Sequence, residues 1–547
     1  MFETIPRPSP EAATRMTDMK KIRDDAVKAG HLVLRQFGQA PEMRAARRLA
    51  ATMPEPSSKG DGPRVLILSM RDWAVHVQIE ALLGHALELR GAEVSYLTCG
   101  GGREICDRVN SWEGPPVPCG SCSKYVGEAL EAHGRTPVSL SDRSGSSMWP
   151  ELDTMSLPEL RDVECDGLPL GRLVEVPVKW FLLADNLALD PIGPTTYRMF
   201  LREARRILRQ LELALDERAP DSVLMLNGLF LFESLARELC QRRGIRVATY
   251  ERGFIIDTFL FDGQQPVGFM DLSQTWPEWR GRDLDVEADE ALDHYLEDRR
   301  HGRRTVDEYW RNVSFGGIEQ FEGGTRAVLF TNLVWDSAVV GQDIAFRSIV
   351  DWIGCSVRLF ARRPQDELII RIHPAEVKLP GRESRERMLD ALQRLEPNLP
   401  PNVRVVEAED PTSSYVLMEH ADVGLVYSST TGLEMVLAGK PVVVAAQTHY
   451  RDKGFTIDVN TPEEYSQVVG DVLDDPGRFA PDQTLARKYA SLFFFSSTYE
   501  ELGVHEHVRG LVELTVSDAA DLMPGASPDL DAFCDAFLGD FDFGRRP

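Results

Sequence analysis

Three short stretches of this chain combine hydroxyls, an imidazole, a guanidinium and carboxylates in a way that suits a single ligand. Thr331-Asn332 follows one apolar run, Arg371-Ile372-His373-Pro374 follows a second, and Ser428-Ser429-Thr430-Thr431-Gly432-Leu433-Glu434 follows a third and opens a helical pattern. In open parallel sheets, ligands bind beyond the carboxyl ends of the strands. A helix N-terminus adds free backbone N–H groups and a partial positive charge, which suit a phosphate. Ser428, Ser429, Thr430 and Thr431 supply hydroxyl donors, and Arg371 a charge-assisted contact. His373 could donate to a phosphate oxygen or to a leaving group, and Glu434 could accept from ribose hydroxyls. Each piece has a plainer reading. A His-Pro at a strand end is commonly a turn, and a Ser/Thr run before a helix is commonly an N-cap, with Glu434 extending the capping geometry. Their coincidence at three strand ends is what favours a phosphate-bearing ligand. No Gly-x-Gly-x-x-Gly stands between a strand and a helix, and no Walker loop is present, which disfavours NAD and ATP sites.

A second cluster is made of thiols. Cys99, Cys106, Cys119 and Cys122 are spaced C-x6-C-x12-C-x2-C. Four thiolates suit tetrahedral zinc or an iron–sulfur cluster. The spacing fits no ferredoxin pattern, so zinc is the first expectation, fixing an irregular loop. A redox Cys-x-x-Cys and buried free thiols are the alternatives. Cys165, Cys240, Cys355 and Cys534 stand alone and read as small buried apolar residues.

The elements that must hold these residues follow from periodicity. At 547 residues the chain exceeds a single core, since cores stop growing near about 250–300 residues. Short apolar runs alternate with helical patterns, which predicts an α/β class with Rossmann-like domains. Residues 1–63 read as a helical extension and linker, and 64–270 as a first Rossmann-like domain with the cysteines and helical insertions. Residues 271–325 read as a helical connection, and 326–483 as a second Rossmann-like domain. Residues 484–547 read as C-terminal helices, helical over 484–515, with an acidic, loosely held tail after Asp518.

The net charge of −25 argues against a nucleic-acid partner, whose binder would be basic. Arg362, Arg363 and Arg371 could still form a local basic pocket. No apolar run is long enough for a transmembrane helix, and Met1 to Pro10 lacks the order of a secretory signal. A cytoplasmic location is expected. The helical pattern over 11–53 carries Lys20, Lys21, Arg23, Arg44, Arg47 and Arg48, which leaves room for a peripheral position on the inner face of the plasma membrane or for an assembly partner. Its weak apolar face favours packing on the main body.

Thr331-Asn332-Leu333-Val334-Trp335-Asp336, Arg371-Ile372-His373-Pro374, Tyr427 to Glu434, Gly439-Lys440-Pro441 and Tyr450 to Thr456 resemble the capsule and surface polysaccharide biosynthesis glycosyltransferases. That group is similar to the bacterial Kdo transferases of capsule export systems. The resemblance covers about residues 326–465. It implies a GT-B architecture, two Rossmann-like domains facing a cleft, with the C-terminal domain binding a nucleotide sugar. It also implies that His373, Ser428 and Ser429 contact the donor, with Asn332 and Asp336 beside them, and that donor binding needs no metal. Tyr250-Glu251-Arg252-Gly253-Phe254 resembles the Glu-x-Gly element of these enzymes, which would put Glu251 at the cleft as a general base for an acceptor hydroxyl, with Asp257 close behind. Met70 to His76 departs from the Gly-rich turn the family more often has there. Its bulky polar residues suggest acceptor contacts, with Asp72 or His76 as second choice for the base. The donor could be CMP-, UDP- or GDP-linked, and the acceptor a glycan, a lipid-linked glycan or a small molecule. A nucleotide-sugar 2-epimerase of related fold and a non-catalytic polysaccharide-assembly protein are the other readings.

Overall fold

The computed structural model describes residues 27–35, 37–55, 62–142, 148–303, 314–316, 321, 323–337, 339–379, 381–508 and 510–544. Lys20, Lys21, Arg23 and most of the expected linker lie outside them. The expected α/β class is what forms, with the main strands in two mostly parallel sheets. Among the described residues no helix is long and apolar enough to cross a membrane.

The chain divides into two compact units. The first comprises residues 1–101, 118–142 and 500–535. Its strands β1 (Arg64–Ser69), β2 (Glu93–Thr98) and β3 (Val138–Ser139) are parallel, in the order β3-β2-β1. Val65, Leu66, Ile67 and Leu68 are each at most 1% exposed, as befits an apolar run covered on both faces. Helices α1 (Pro41–Ala50), α2 (Ala74–Leu89) and α3 (Cys119–Ala132) accompany them.

Two expectations need correcting here. Residues 504–514 are not helical but form an antiparallel hairpin of Val504–Val508 and Leu511–Leu514. Gly503 and Gly510 take φ of +88° and +87°, a region that suits glycine and interrupts a helix. The tail after Asp518 is not loosely held either. Pro528–Leu538 is a helix that buries Leu530, Phe533 and Cys534, and Arg90 pairs with its Asp531.

The second unit comprises residues 102–117, 143–499 and 536–547. Its strands β4 (Ser222–Leu226) and β5 (Arg246–Arg252) are parallel, and β6 (Phe259–Asp262) runs antiparallel to β5. Helices α4 (Gly193–Arg218) and α5 (Leu231–Arg242) belong to this part. The other sheet of the unit is parallel throughout. It contains β7 (Arg326–Phe330), β8 (Glu367–Arg371), β9 (Val403–Val406), β10 (Val423–Val426), β11 (Val442–Val444) and β12 (Ile457–Asp458), in the order β12-β11-β10-β7-β8-β9.

Alternation along these strands sends side chains to opposite faces. Ala327, Leu329, Leu368 and Ile370 join one core with the helix Ile349–Ala361. Val328, Phe330 and Ile369 join another with Ile255, Leu292, Tyr295 and Tyr489. Leu292 and Tyr295 come from α6 (Val286–Arg300) in the expected helical connection, and Tyr489 from the helix Gln483–Ser491.

Candidate functional site

Parallel pairing sets the polar ends of three strands level. Phe330 of β7 is paired with Arg371 of β8 on one side and with Val426 of β10 on the other. Two residues beyond that line stand Asn332, His373 and Ser428. The three motifs read from the sequence therefore emerge side by side, with Asn332 in the middle. Asn332 Oδ1 and Ser428 Oγ are both buried and have no hydrogen-bond partner. A buried polar atom left so costs on the order of 1–3 kcal/mol, and native structures tolerate few.

Thr331 steadies the row by accepting the His373 backbone N–H on its Oγ1 at 3.0 Å. His373 Nδ1 in turn accepts the Ala375 N–H at 3.1 Å, which places the ring proton on Nε2. Burial, together with the Arg371 charge, lowers the His373 pKa to about 4. The ring is therefore neutral at physiological pH and presents an N–H donor.

Arg371 is tied into the fold by two of its donors, and its buried Nε has no hydrogen-bond partner. It is 1% exposed, and its Nη1 and Nη2 donate to the Glu407 and Asp410 carbonyls at 2.6 and 3.3 Å. Burial lowers its pKa to about 10. It ties the end of β8 to the segment after β9, and its charge adds to the burial that keeps His373 neutral.

Glu434 is likewise engaged. It lies in the first turn of α7, the helix Thr431–Leu437, and is 9% exposed. Its Oε1 accepts Arg299 Nε at 2.7 Å and its Oε2 accepts the Tyr415 hydroxyl at 2.5 Å. The carboxylate thus joins α7 to α6, so the expected ribose contact finds both oxygens already bonded. The Arg299 guanidinium also lies over the Phe254 ring, 5.5 Å from its centre.

The Ser/Thr run caps the helix in part. Thr430 occupies the cap position without a side-chain bond, while Ser429 Oγ accepts the Thr431 N–H at 3.3 Å and donates to Thr431 Oγ1 at 2.9 Å. Gly432 is needed for packing, since a Cβ there would fall 2.2 Å from the Tyr450 hydroxyl. That hydroxyl donates to the Ser429 carbonyl, which fixes the segment bearing Ser428.

Glu251 stands at the end of β5, paired with Leu260 of β6. Its Oε1 accepts the Arg252 N–H at 2.8 Å and its Oε2 accepts Asn227 Nδ2 at 3.3 Å. Burial raises its pKa above the usual carboxylate range, and the charge of Asp336 adds to the rise against those two hydrogen bonds. Glu251 and Asp336, which the sequence placed in different domains, thus feel one another. Asp257, close behind, has a φ of +64°. In the other unit, Asp72 and His76 are half-buried where β1 passes into α2. The His76 ring lies 5.9 Å from that of Trp73.

Two polar residues that sequence reasoning passed over stand beyond β11. Thr448 Oγ1 and His449 Nε2 are buried without partners. The His449 ring stacks on Phe493 at 3.8 Å, and burial lowers its pKa to about 3. Their only signal in the sequence was position, just ahead of the Tyr450–Thr456 stretch.

Among the described residues no group of three or more His, Cys, Asp or Glu side chains is placed to hold a metal ion. Cys119 and Cys122 enter the first turn of α3, whereas Cys106 is 5% exposed and turns its thiol toward Asp107 at 3.7 Å. None of the eight cysteines is in a disulfide.

Residues 287–469 match the model of a family described as capsule polysaccharide biosynthesis protein. The match runs from α6 through β12 and contains every residue of the row, so the resemblance read from the motifs is borne out over this segment. No curated protein matches the chain. Among solved structures, the chain is similar to the KpsC beta Kdo 2,7 transferase of Thermosulfurimonas dismutans, at 15% identity over 56% of this chain and 86% of that one, with a TM-score of 0.33. It is also similar to the beta Kdo 2,4 transferase of the same organism, at 16% identity over 58% and 88%, with a TM-score of 0.35. A UDP-GlcNAc 2-epimerase from Neisseria meningitidis bound to UDP-GlcNAc is similar at 12% identity over 79% and 99%, with a TM-score of 0.26. Likenesses this distant say nothing about activity.

Proposed function

We propose that the chain is a glycosyltransferase that moves a sugar from a nucleotide-sugar donor to a hydroxyl acceptor in surface polysaccharide or glycoconjugate synthesis. The observation that carries the reading is the level row of Asn332, His373 and Ser428, with its two unpartnered atoms. His373 Nε2–H and the Ser428 hydroxyl are donors suited to phosphate oxygens. Asn332 Oδ1 is an acceptor and calls for a hydroxyl. A sugar phosphate has both kinds of group, and a CMP, UDP or GDP donor has them adjacent.

In the transfer, an acceptor oxygen attacks the anomeric carbon as the bond from that carbon to the donor phosphate breaks. Glu251 takes the acceptor proton, and its raised pKa makes it a stronger base than an exposed carboxylate. His373 Nε2–H steadies the phosphate oxygen that leaves. No metal takes part in this scheme.

A thermal-shift screen against CMP, UDP, GDP and their sugars tests the donor, since a ligand of the native state raises the melting temperature by mass action. NMR of a donor-only mixture then separates transfer from 2-epimerisation, because an epimerase converts the free donor and a transferase leaves its configuration intact. A melting temperature that none of these ligands moves would sink the proposal.

We further propose a peripheral position on the inner face of the plasma membrane, which the exposed apolar residues of the helix 27–35 support. His31 and Arg35 face inward and bond Glu42 at 2.7 and 2.8 Å. Val27, Leu32, Val33 and, just past the helix, Phe37 are 52, 50, 53 and 72% exposed. Contrary to expectation, the apolar residues point outward. An apolar surface in a basic segment suits an anionic bilayer. Co-sedimentation with anionic vesicles, lost in Leu32→Ser/Phe37→Ser, is the check; equal sedimentation of both proteins would refute it.

A further inference from the structure

Trp112 stands apart from the other described tryptophans. Guanidinium groups lie over Trp73, Trp149, Trp180 and Trp279, and aromatic rings pack on Trp276, Trp335 and Trp352. Trp112 is 57% exposed, and among the described residues no ring or cation lies on its faces.

The exposed ring is nevertheless fixed. Its Nε1–H donates to the Glu383 carbonyl at 2.9 Å, and its backbone N–H to Asn110 Oδ1 at 2.9 Å. Asn110 is 3% exposed and donates from Nδ2 to the Gly381 carbonyl at 2.7 Å. Ser111, between the two, donates its N–H to the Phe181 carbonyl at 2.8 Å. A large apolar face is thus held open, so a ligand that covers it costs little further side-chain freedom. Polar groups are at hand. Ser111 Oγ is buried without a partner and can both donate and accept. Glu383 Oε1 accepts the Gly381 N–H at 3.2 Å, which leaves Oε2 as an acceptor.

The anchor of the ring belongs to the end of the second sheet that carries the row. The residue after Glu383, Ser384, accepts Trp335 Nε1–H on its Oγ at 2.8 Å and donates its N–H to the Glu376 carbonyl at 2.9 Å. Trp335 lies past the end of β7 and Glu376 past the end of β8.

The face of an indole is the negative side of its quadrupole. It repels a phosphate and attracts C–H groups or a cation. A cation would leave the Ser111 hydroxyl without an acceptor, whereas a sugar has hydroxyls for it. A protein partner needs about 800 Å² on each side, and the flanks here are the polar Ser111, Glu113 and Glu383. We infer that Trp112 is the platform for a pyranose ring of the acceptor glycan, with the C–H face of the sugar on the indole and its hydroxyls at Ser111 Oγ and Glu383 Oε2. That this glycan is the acceptor rests on the transferase reading. The binding itself does not, and it can be measured without a nucleotide.

Fluorine NMR of the full chain labelled with fluorinated tryptophan tests it, the Trp112 resonance being the one lost in Trp112→Phe. Cellotriose and N,N′-diacetylchitobiose are the probes. Mannitol, which has hydroxyls but no ring face, and tetramethylammonium are the controls. The expected result is a saturable shift of the Trp112 resonance with at least one sugar at about millimolar concentrations, and none with the controls. In Trp112→Ala, binding of that sugar, read by saturation-transfer NMR, should weaken at least about fivefold, while affinity for the nucleotide found in the thermal screen is unchanged. Sugar binding at Trp112 by a protein that binds no nucleotide would sink the transferase reading and leave the platform standing. A Trp112 resonance unmoved by both sugars, equal binding in Trp112→Ala, or a shift that either control matches would overturn the inference. So would a shift produced by protein concentration alone, the mark of a second copy on this face.

Discussion

Removing the Ser428 hydroxyl should cost donor binding and not stability. Ser428 Oγ is buried with no partner, so the folded protein carries a desolvation cost of about 1–3 kcal/mol there. Ser428→Ala removes the oxygen and leaves no hydrogen bond broken, so the unfolding free energy should stay level or rise by about 1 kcal/mol. Thr331→Val, one residue past the end of the neighbouring strand, is the opposite case. Its Oγ1 accepts the His373 N–H at 3.0 Å, and losing that acceptor strands a backbone donor at a cost of about 1–3 kcal/mol.

Two losses of one hydroxyl, on adjacent strands, should therefore shift stability in opposite directions. If the Ser428 hydroxyl donates to a phosphate, its loss weakens binding by about 1.5–3 kcal/mol, roughly 10- to 150-fold in Kd. Denaturant unfolding and calorimetric titration with the nucleotide found in the thermal screen read both quantities. A Ser428→Ala protein that is destabilised by more than about 1 kcal/mol, or that binds the nucleotide as well as wild type, would refute the reasoning.

Three further outcomes are expected. Because His373 titrates only near pH 4, donor affinity should not vary with His373 ionisation between about pH 5.5 and 8. An affinity loss centred near pH 6.5 in calorimetry, absent from His373→Ala, would show a charged imidazole at work instead. Glu251→Gln should lower turnover by about 10²- to 10⁴-fold while nucleotide affinity, measured in the same preparations, is unchanged; a variant with near-normal turnover excludes Glu251 as the base. Glu376 is pushed up to about 7, chiefly by burial. Its carboxyl is held neutral in the folded chain at a pH where the unfolded chain ionises, so its contribution is full below about pH 4.5 and is lost as pH rises through about 7. Glu376→Gln should thus be near neutral at pH 4.5 and stabilising at pH 8, by up to about 3 kcal/mol, and a pH-independent difference in unfolding free energy would contradict this.

Much of the second sheet was legible because its strands are continuous apolar runs. Ala327–Phe330 and Val423–Val426 need burial on both faces, and parallel pairing then carries the residues after them to one line. The partners of the polar residues were not legible, because they are distant along the chain. Arg299, which bonds Glu434, is 135 residues away, and Arg371 gives two of its donors to the carbonyls of Glu407 and Asp410 while its buried Nε has no partner. Charge and position suggested ligand contacts for Glu434 and Arg371, and neither the Arg299 and Tyr415 bonds of the one nor the carbonyl partners of the other could be read from spacing. The Cys-x-x-Cys spacing did not reveal that a helix starts at Cys119, nor that the Cys106 thiol turns toward Asp107. The hairpin at 504–514 was hidden because its only breaks are Gly503 and Gly510, whose positive φ has no signature beyond glycine itself.

The central claim is that the donor phosphate sits at the ends of β7, β8 and β10. A crystal structure of the complex with the nucleotide that raises the melting temperature tests it most directly. The account predicts a phosphate oxygen within hydrogen-bond distance of His373 Nε2 and Ser428 Oγ, with a sugar or ribose hydroxyl at Asn332 Oδ1. A nucleotide seated elsewhere, with Asn332 and Ser428 still unpartnered, would contradict it.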